Sequence, residues 1–177
     1  ATGELGSAMV EGYRKGGVIP VAKHFPGYGN IFPDPHKNQA TLNIGSEELE
    51  LSLTPFQKIV SDNSAVAIMT AHILVPRIDT KIATLSSKFL NEILREKMGF
   101  DGVIITDDLE MISAGKMIEQ SAIDAIKAGA DMIISTYTPE KQIRFFDSLK
   151  NSVLNGDITE ERINESVTRI LSLKNSI

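Results

Sequence analysis

Residues 99–108 read Gly-Phe-Asp-Gly-Val-Ile-Ile-Thr-Asp-Asp, and the fold turns on this stretch. Its centre, Gly102–Ile105, is an unbroken apolar run that passes straight into Thr106-Asp107-Asp108. A run this short, rich in β-branched residues and without alternation, predicts a strand buried on both faces, as in a parallel sheet. Three more runs of the same kind are Val18–Ala22, Ala65–Met69 and Asp131–Ile134. Helical patterns lie between them. Glu47–Val60 follows Ser46 as its N-cap, and Ser86–Lys97 and Lys116–Ala128 follow the next two runs. Pro139–Val153 opens with proline in its first turn, and a last amphipathic pattern, Thr159–Leu173, follows Asn155-Gly156-Asp157. Strands that alternate with helices predict an α/β fold with about four parallel strands.

Bulk properties remove several classes of function. The 177 residues suit one domain rather than two. A net charge of −5, with lysines and arginines scattered and no basic stripe, argues against nucleic acid as a partner. No apolar run is long enough to predict a membrane span. The absence of cysteine excludes disulfides, thiolate metal sites and a cysteine nucleophile, and fits a cytoplasmic and an exported protein equally. Gly27-Tyr28-Gly29 follows a strand, but no third glycine or helix comes next, so it is not a phosphate fingerprint. No Gly-x-Ser-x-Gly nucleophile elbow is present.

Each predicted strand runs into polar residues: Lys23-His24, then Thr70-Ala71-His72, then Thr106-Asp107-Asp108, then Ser135-Thr136. In (β/α) barrels and in open parallel sheets alike, that C-terminal edge carries the active site. The two longest non-periodic stretches, 25–45 and 73–85, leave from the same edge, and loops of that length in a compact domain are usually functional. Asp107 is placed to attack an electrophilic carbon. Asp34-Pro35-His36 offers an imidazole with a carboxylate partner for proton transfer near neutrality. Two other readings stand beside this one. Lys23, His72 and Asp107 can instead hold a divalent metal for amide or ester hydrolysis. Asp107 can also serve only as a cap or a partner for Lys116, with Asp108 as a hydrogen-bonding neighbour.

Lys23-His-Phe-Pro-Gly-Tyr-Gly29, followed by Asp34-Pro-His36, resembles the signature loop of glycoside hydrolase family 3, in its bacterial β-N-acetylglucosaminidase branch. Gly99–Met111 is similar to the nucleophile segment of that family. Met69-Thr-Ala-His-Ile73, Ala83-Thr-Leu-Ser86, Ala128-Gly-Ala-Asp-Met132 and the stretch from Arg162 to Ile170 are similar as well, so the resemblance covers nearly the whole chain.

The resemblance implies a retaining glycosidase that removes non-reducing terminal N-acetyl-β-glucosamine, in peptidoglycan turnover, without metal or organic cofactor. Asp107 is then the nucleophile, His36 the general acid/base and Asp34 its partner. Lys23 and His24 hold sugar hydroxyls, and His72 either lines the subsite or is a buried, hydrogen-bonded residue. Three positions depart from the common loop: Tyr28 stands for a histidine, Asn30 for an aspartate and Pro35 for a serine. The catalytic domain of the family is a (β/α)8 TIM-type barrel, and residues 1–177 correspond to its C-terminal half. Ala1 is not a natural start, and an aspartate and an arginine that grip the sugar belong to the first half. The expectation is therefore a half-barrel, inert alone, that pairs with the missing half or dimerises.

Overall fold

The computed structural model describes residues 1–29, 40–62, 67–112, 118–136 and 138–176. The chain begins with helix α1 (Thr2–Lys15), followed by strand β1 (Val21–Phe25) and a two-residue strand β2 (Ala40–Thr41). Helix α2 (Ser46–Asp62) leads to β3 (Ala67–Thr70) and a second two-residue strand, β4 (Ile73–Leu74). A 3-10 turn (Ala83–Leu85) precedes a wide π-helix (Lys88–Lys97), and a second 3-10 turn (Leu109–Ile112) lies further along the chain. Then come β5 (Val103–Asp108), α3 (Ile118–Ala128), β6 (Met132–Ile134), α4 (Pro139–Leu154) and α5 (Glu160–Lys174).

The main sheet has the order β1-β3-β5-β6, parallel throughout. This is the parallel α/β architecture expected from the sequence, and the four sheet strands are the four that were expected. The first is displaced. Its apolar run begins at Val18, but pairing starts only after Pro20 and continues to Phe25, opposite Thr70. The reason is that sheet pairing follows the backbone. Gly17 turns the chain with φ of 71°, and Pro20 has no N–H to give a ladder, although its carbonyl still accepts from Ala67. Lys23 and His24 therefore lie within the strand rather than beyond it. Ser46 is likewise the first helical residue, one position inside its expected cap.

Burial follows position in the sheet. Ile68 on β3 and Ile104 on β5 are fully buried, whereas Val21 on the outer strand β1 is 40% exposed. Helix α2 packs Leu49, Leu53, Phe56 and Ile59 inward at spacings of three and four, one stripe of a 3.6-residue period. Phe56 meets Phe25 of β1 edge-on at 5.4 Å. The π-helix contributes Phe89, Leu90 and Leu94 to the same core. Its first turn is capped by Ser86, whose Oγ accepts the Phe89 N–H and donates to Asp79.

Strands β1 and β6 form the two ends of the sheet, and among the described residues no strand pairs with their outer edges. Apolar side chains stand exposed beside both. Met9 of α1 lines a cleft with Val21 at the β1 end, and Phe146 of α4 lines one with Ile133 at the β6 end. A cleft of about 480 Å³ opens between α1, β1 and α2 and reaches His24 and Tyr28.

A buried carboxylate closes the other side of the molecule. The Asp131 side chain is fully buried just ahead of β6, and it accepts from the Ile104 N–H at 2.9 Å and Ser166 Oγ at 2.8 Å. Arg95, Arg162 and Arg169 all reach it, at 2.6, 3.4 and 3.2 Å. Arg162 also donates to the carbonyls of Ile126 and Ala130. One carboxylate thus ties the π-helix and α5 to the sheet. The motifs around Ala128–Met132 and Arg162–Ile170 meet here, well away from Asp107. Gly129 is required in the turn before it: φ is 120°, and a Cβ would lie 2.5 Å from the Asn91 side-chain oxygen.

Candidate active site

The strand ends converge at the C-terminal edge of the sheet. Asp107 sits near the end of β5, with its side chain 19% exposed. The Asp108 N–H donates to its Oδ1 at 2.8 Å, which fixes the rotamer and leaves Oδ2 directed elsewhere. His24, two strands away on β1, places Nε2 3.7 Å from that Oδ2. Tyr28 packs edge-on against the His24 ring at 5.4 Å. Burial lowers the His24 pKa, with Lys23 adding to the effect and Asp107 opposing it, so the ring is neutral near pH 7. Burial and the neighbouring Asp107 charge both raise the Tyr28 hydroxyl pKa.

The segment from Lys23 to Gly29 has a local logic. Phe25 is fully buried and anchors the strand end on Phe56. The Pro26 carbonyl accepts from Ser52 Oγ on α2 at 3.0 Å, and the Gly27 N–H closes a turn onto the His24 carbonyl at 2.8 Å. Gly27 adopts φ of 103° beside Ser52, a conformation that L side chains rarely adopt. The Lys23–His24 and Phe25–Pro26 peptide bonds are cis. These anchors place His24 and Tyr28 on the Asp107 side, and Lys23 remains exposed. Asp34 and His36, with Asn30, Pro35 and Lys116, lie outside the described residues.

His72 follows β3, between β1 and β5. Its Nε2 lies 2.9 Å from the Asp108 carbonyl and its Nδ1 2.8 Å from Thr84 Oγ1. Both nitrogens are engaged by protein, as in the reading of His72 as a buried, hydrogen-bonded residue. That engagement removes His72 from the metal-ligand set of the alternative reading, since a ligand needs a free imidazole lone pair. The Asp108 side chain is held as well: Oδ1 accepts the Glu110 N–H at 2.9 Å, and Oδ2 accepts from Thr136 Oγ1. Glu110, whose side chain is almost wholly buried, accepts from Ser135 Oγ at 2.8 Å and Thr138 Oγ1 at 3.1 Å, and pairs with Lys141 at 3.2 Å.

Sequence reasoning brought Lys23, His24, His72 and Asp107 to one edge, and the structure places them there. It missed Ser52, Thr84 and Glu110, which support that edge, and gave no role to Thr70, which it placed there. Thr84 and Thr70 carried a signal, a hydroxyl at a strand end or loop turn beside a histidine. Ser52 on a helix carried none.

The family profile described as "Glycosyl hydrolase family 3 N terminal domain" matches residues 1–173. Curated relatives named beta-hexosaminidase include one from Methylobacillus flagellatus, 33% identical over 156 residues, covering 85% of this chain and 44% of that protein. Another, from Haemophilus influenzae, is 37% identical over 150 residues, covering 82% of this chain and 42% of that protein. The chain thus spans less than half the length of these relatives. Among solved structures, a glycoside hydrolase family 3 beta-N-acetylglucosaminidase from Paenibacillus sp. str. FPU-7 superposes with a TM-score of 0.94 at 39% identity, over 98% of this chain and 34% of that one.

Proposed function

Because the chain belongs to glycoside hydrolase family 3, we propose that the protein containing it is a retaining exo-β-N-acetylglucosaminidase acting in peptidoglycan turnover. The observation that carries this reading is the Asp107 carboxylate, half-buried at a strand end, with one oxygen fixed by a backbone N–H and the other near the neutral imidazole of His24. The names of the curated relatives, beta-hexosaminidase, support the sugar class.

In the first step an Asp107 oxygen attacks the anomeric carbon, the bond to the leaving oxygen breaks, and that oxygen takes a proton from His36. In the second step His36 removes a proton from water, the water oxygen bonds to the anomeric carbon, and the Asp107 ester bond breaks. Asp34 orients and charge-balances His36, and Lys23 and His24 hold sugar hydroxyls. The roles of Asp34 and His36 are supported by their place after the Lys23–Gly29 loop. The chain is read as the C-terminal half of a (β/α)8 barrel. The unpaired outer edges of β1 and β6 among the described residues, with exposed apolar side chains beside them, support that reading.

The test is release of the chromogen from an aryl N-acetyl-β-glucosaminide by the full-length protein. Asp107→Ala is expected to abolish it. Near-normal turnover in Asp107→Ala sinks the assignment.

A further inference from the structure

We propose that His72 is a positioning residue that acts on the Asp107 carboxylate through the backbone of Asp108, with Thr84 and Thr70 setting its tautomer. The proposal rests on the reading of Asp107 as the nucleophile.

The hydrogen-bond chain fixes each proton. The Asp108 carbonyl can only accept, so His72 Nε2, 2.9 Å away, carries the hydrogen. Burial lowers the His72 pKa against the pull of the Asp108 carbonyl and of the Asp107 and Asp108 charges, so the ring is neutral and Nδ1 is an acceptor. Thr84 Oγ1 then donates to Nδ1 at 2.8 Å, and Thr70 Oγ1, fully buried and 2.8 Å from Thr84, donates to Thr84 in turn. Thr84 Oγ1 also donates to the Ala71 carbonyl at 3.0 Å, so its one hydrogen is shared between that carbonyl and Nδ1.

The chain ends on the residue whose own N–H holds Asp107 Oδ1. Residue 108 is gripped through its carbonyl by His72, just after β3, and through its carboxylate by Thr136, beyond β6, and by the Glu110 N–H. The backbone that carries its N–H to Asp107 is thus tied down on both sides. A nucleophile held in that way meets the anomeric carbon already aligned, and misplacement of about 1 Å costs on the order of 100-fold in rate. The loss is expected in kcat, because both ring nitrogens of His72 are engaged by protein.

The experiment uses the full-length protein with an aryl N-acetyl-β-glucosaminide. His72→Phe keeps the ring volume and removes both hydrogen bonds. It is expected to lower kcat by roughly 100-fold with KM little changed. His72→Gln, whose amide N–H takes the place of Nε2–H, is expected to recover most of that loss. The proposal is overturned if KM rises with kcat intact, if Phe and Gln are equally damaged, or if neither is damaged. If His72→Phe does not fold, Thr84→Val tests the same chain: a lower kcat at unchanged KM supports it, and an unchanged kcat overturns it. Inertness of the unaltered protein counts against the proposed activity alone. In that event the carboxyl ¹³C shift of Asp107 decides. Displacement in His72→Phe with recovery in His72→Gln supports positioning, and an unmoved signal refutes it.

Discussion

The Nε2 of His24 stands 3.7 Å from Oδ2 of Asp107, across the intervening strand β3. That is too long for a direct hydrogen bond and fits two groups that face the same substrate rather than each other. His24→Ala is expected to lower kcat/KM of the full-length protein roughly 10- to 100-fold, the scale of one or two lost polar contacts, while the melting temperature barely moves. A near-normal kcat/KM in this variant removes His24 from the sugar site.

Asp131 carries a different expectation. Three arginines, a serine and a backbone N–H converge on it. Burial presses the Arg95 pKa down to about 10, yet that side chain stays charged at neutral pH. Asp131→Asn strips the compensating charge and leaves the cations facing one another. A loss of about 3–5 kcal/mol in unfolding free energy is expected in urea titration. A loss below about 1 kcal/mol means that the arginines find water instead.

Acid stability follows from the histidines. His72 and His24 both have pKa values below the ordinary 6.5 in the folded state, burial being the main cause. As pH falls below 6.5, the unfolded chain binds these protons before the folded one does, so stability drops from about pH 6.5 down through the lowered folded values. In His72→Gln this part of the slope is expected to flatten. An identical pH dependence in the variant and the unaltered protein contradicts the assignment.

Gly129→Ala tests the turn ahead of Asp131. With φ of 120° and Asn91 in the way, an added methyl is expected to cost more than about 1 kcal/mol. Gly99→Ala is the informative comparison: its φ is 69°, but nothing lies within 4 Å of the added carbon. The difference between the two variants in thermal melts isolates the clash.

The strands and helices were legible because burial on both faces leaves unbroken apolar runs, and because the helices keep a 3.6-residue stripe. Val103, Ile104 and Ile105 show the first, and Leu49, Leu53 and Phe56 the second. The start of β1 was not legible, since Val18 and Ile19 look like strand residues but pairing waits for the residue after Pro20. Nor was the i→i+5 winding of Lys88–Lys97, whose sequence fits an ordinary helix; the Met98 N–H closes it on the Ile93 carbonyl. At the site, Asp107 and His24 stood out as ionisable groups at strand ends. The use of His72 was hidden, because its two partners come from residues 12 and 36 positions away. Spacing along a chain carries no trace of a contact that only the sheet creates.

Strands β2 and β4 are only two residues each, yet Ala40 and Thr41 pair with Ile73 and Leu74, and the Leu42 N–H bonds the Leu74 carbonyl at 2.8 Å. The upstream end of the same loop is anchored independently, through Phe25, Pro26 and Gly27 on α2. The described chain is thus fastened on both sides of residues 30–39, at Pro26–Gly27 and at Ala40–Leu42, by two sets of contacts that share no residue, so weakening one set leaves the other in place.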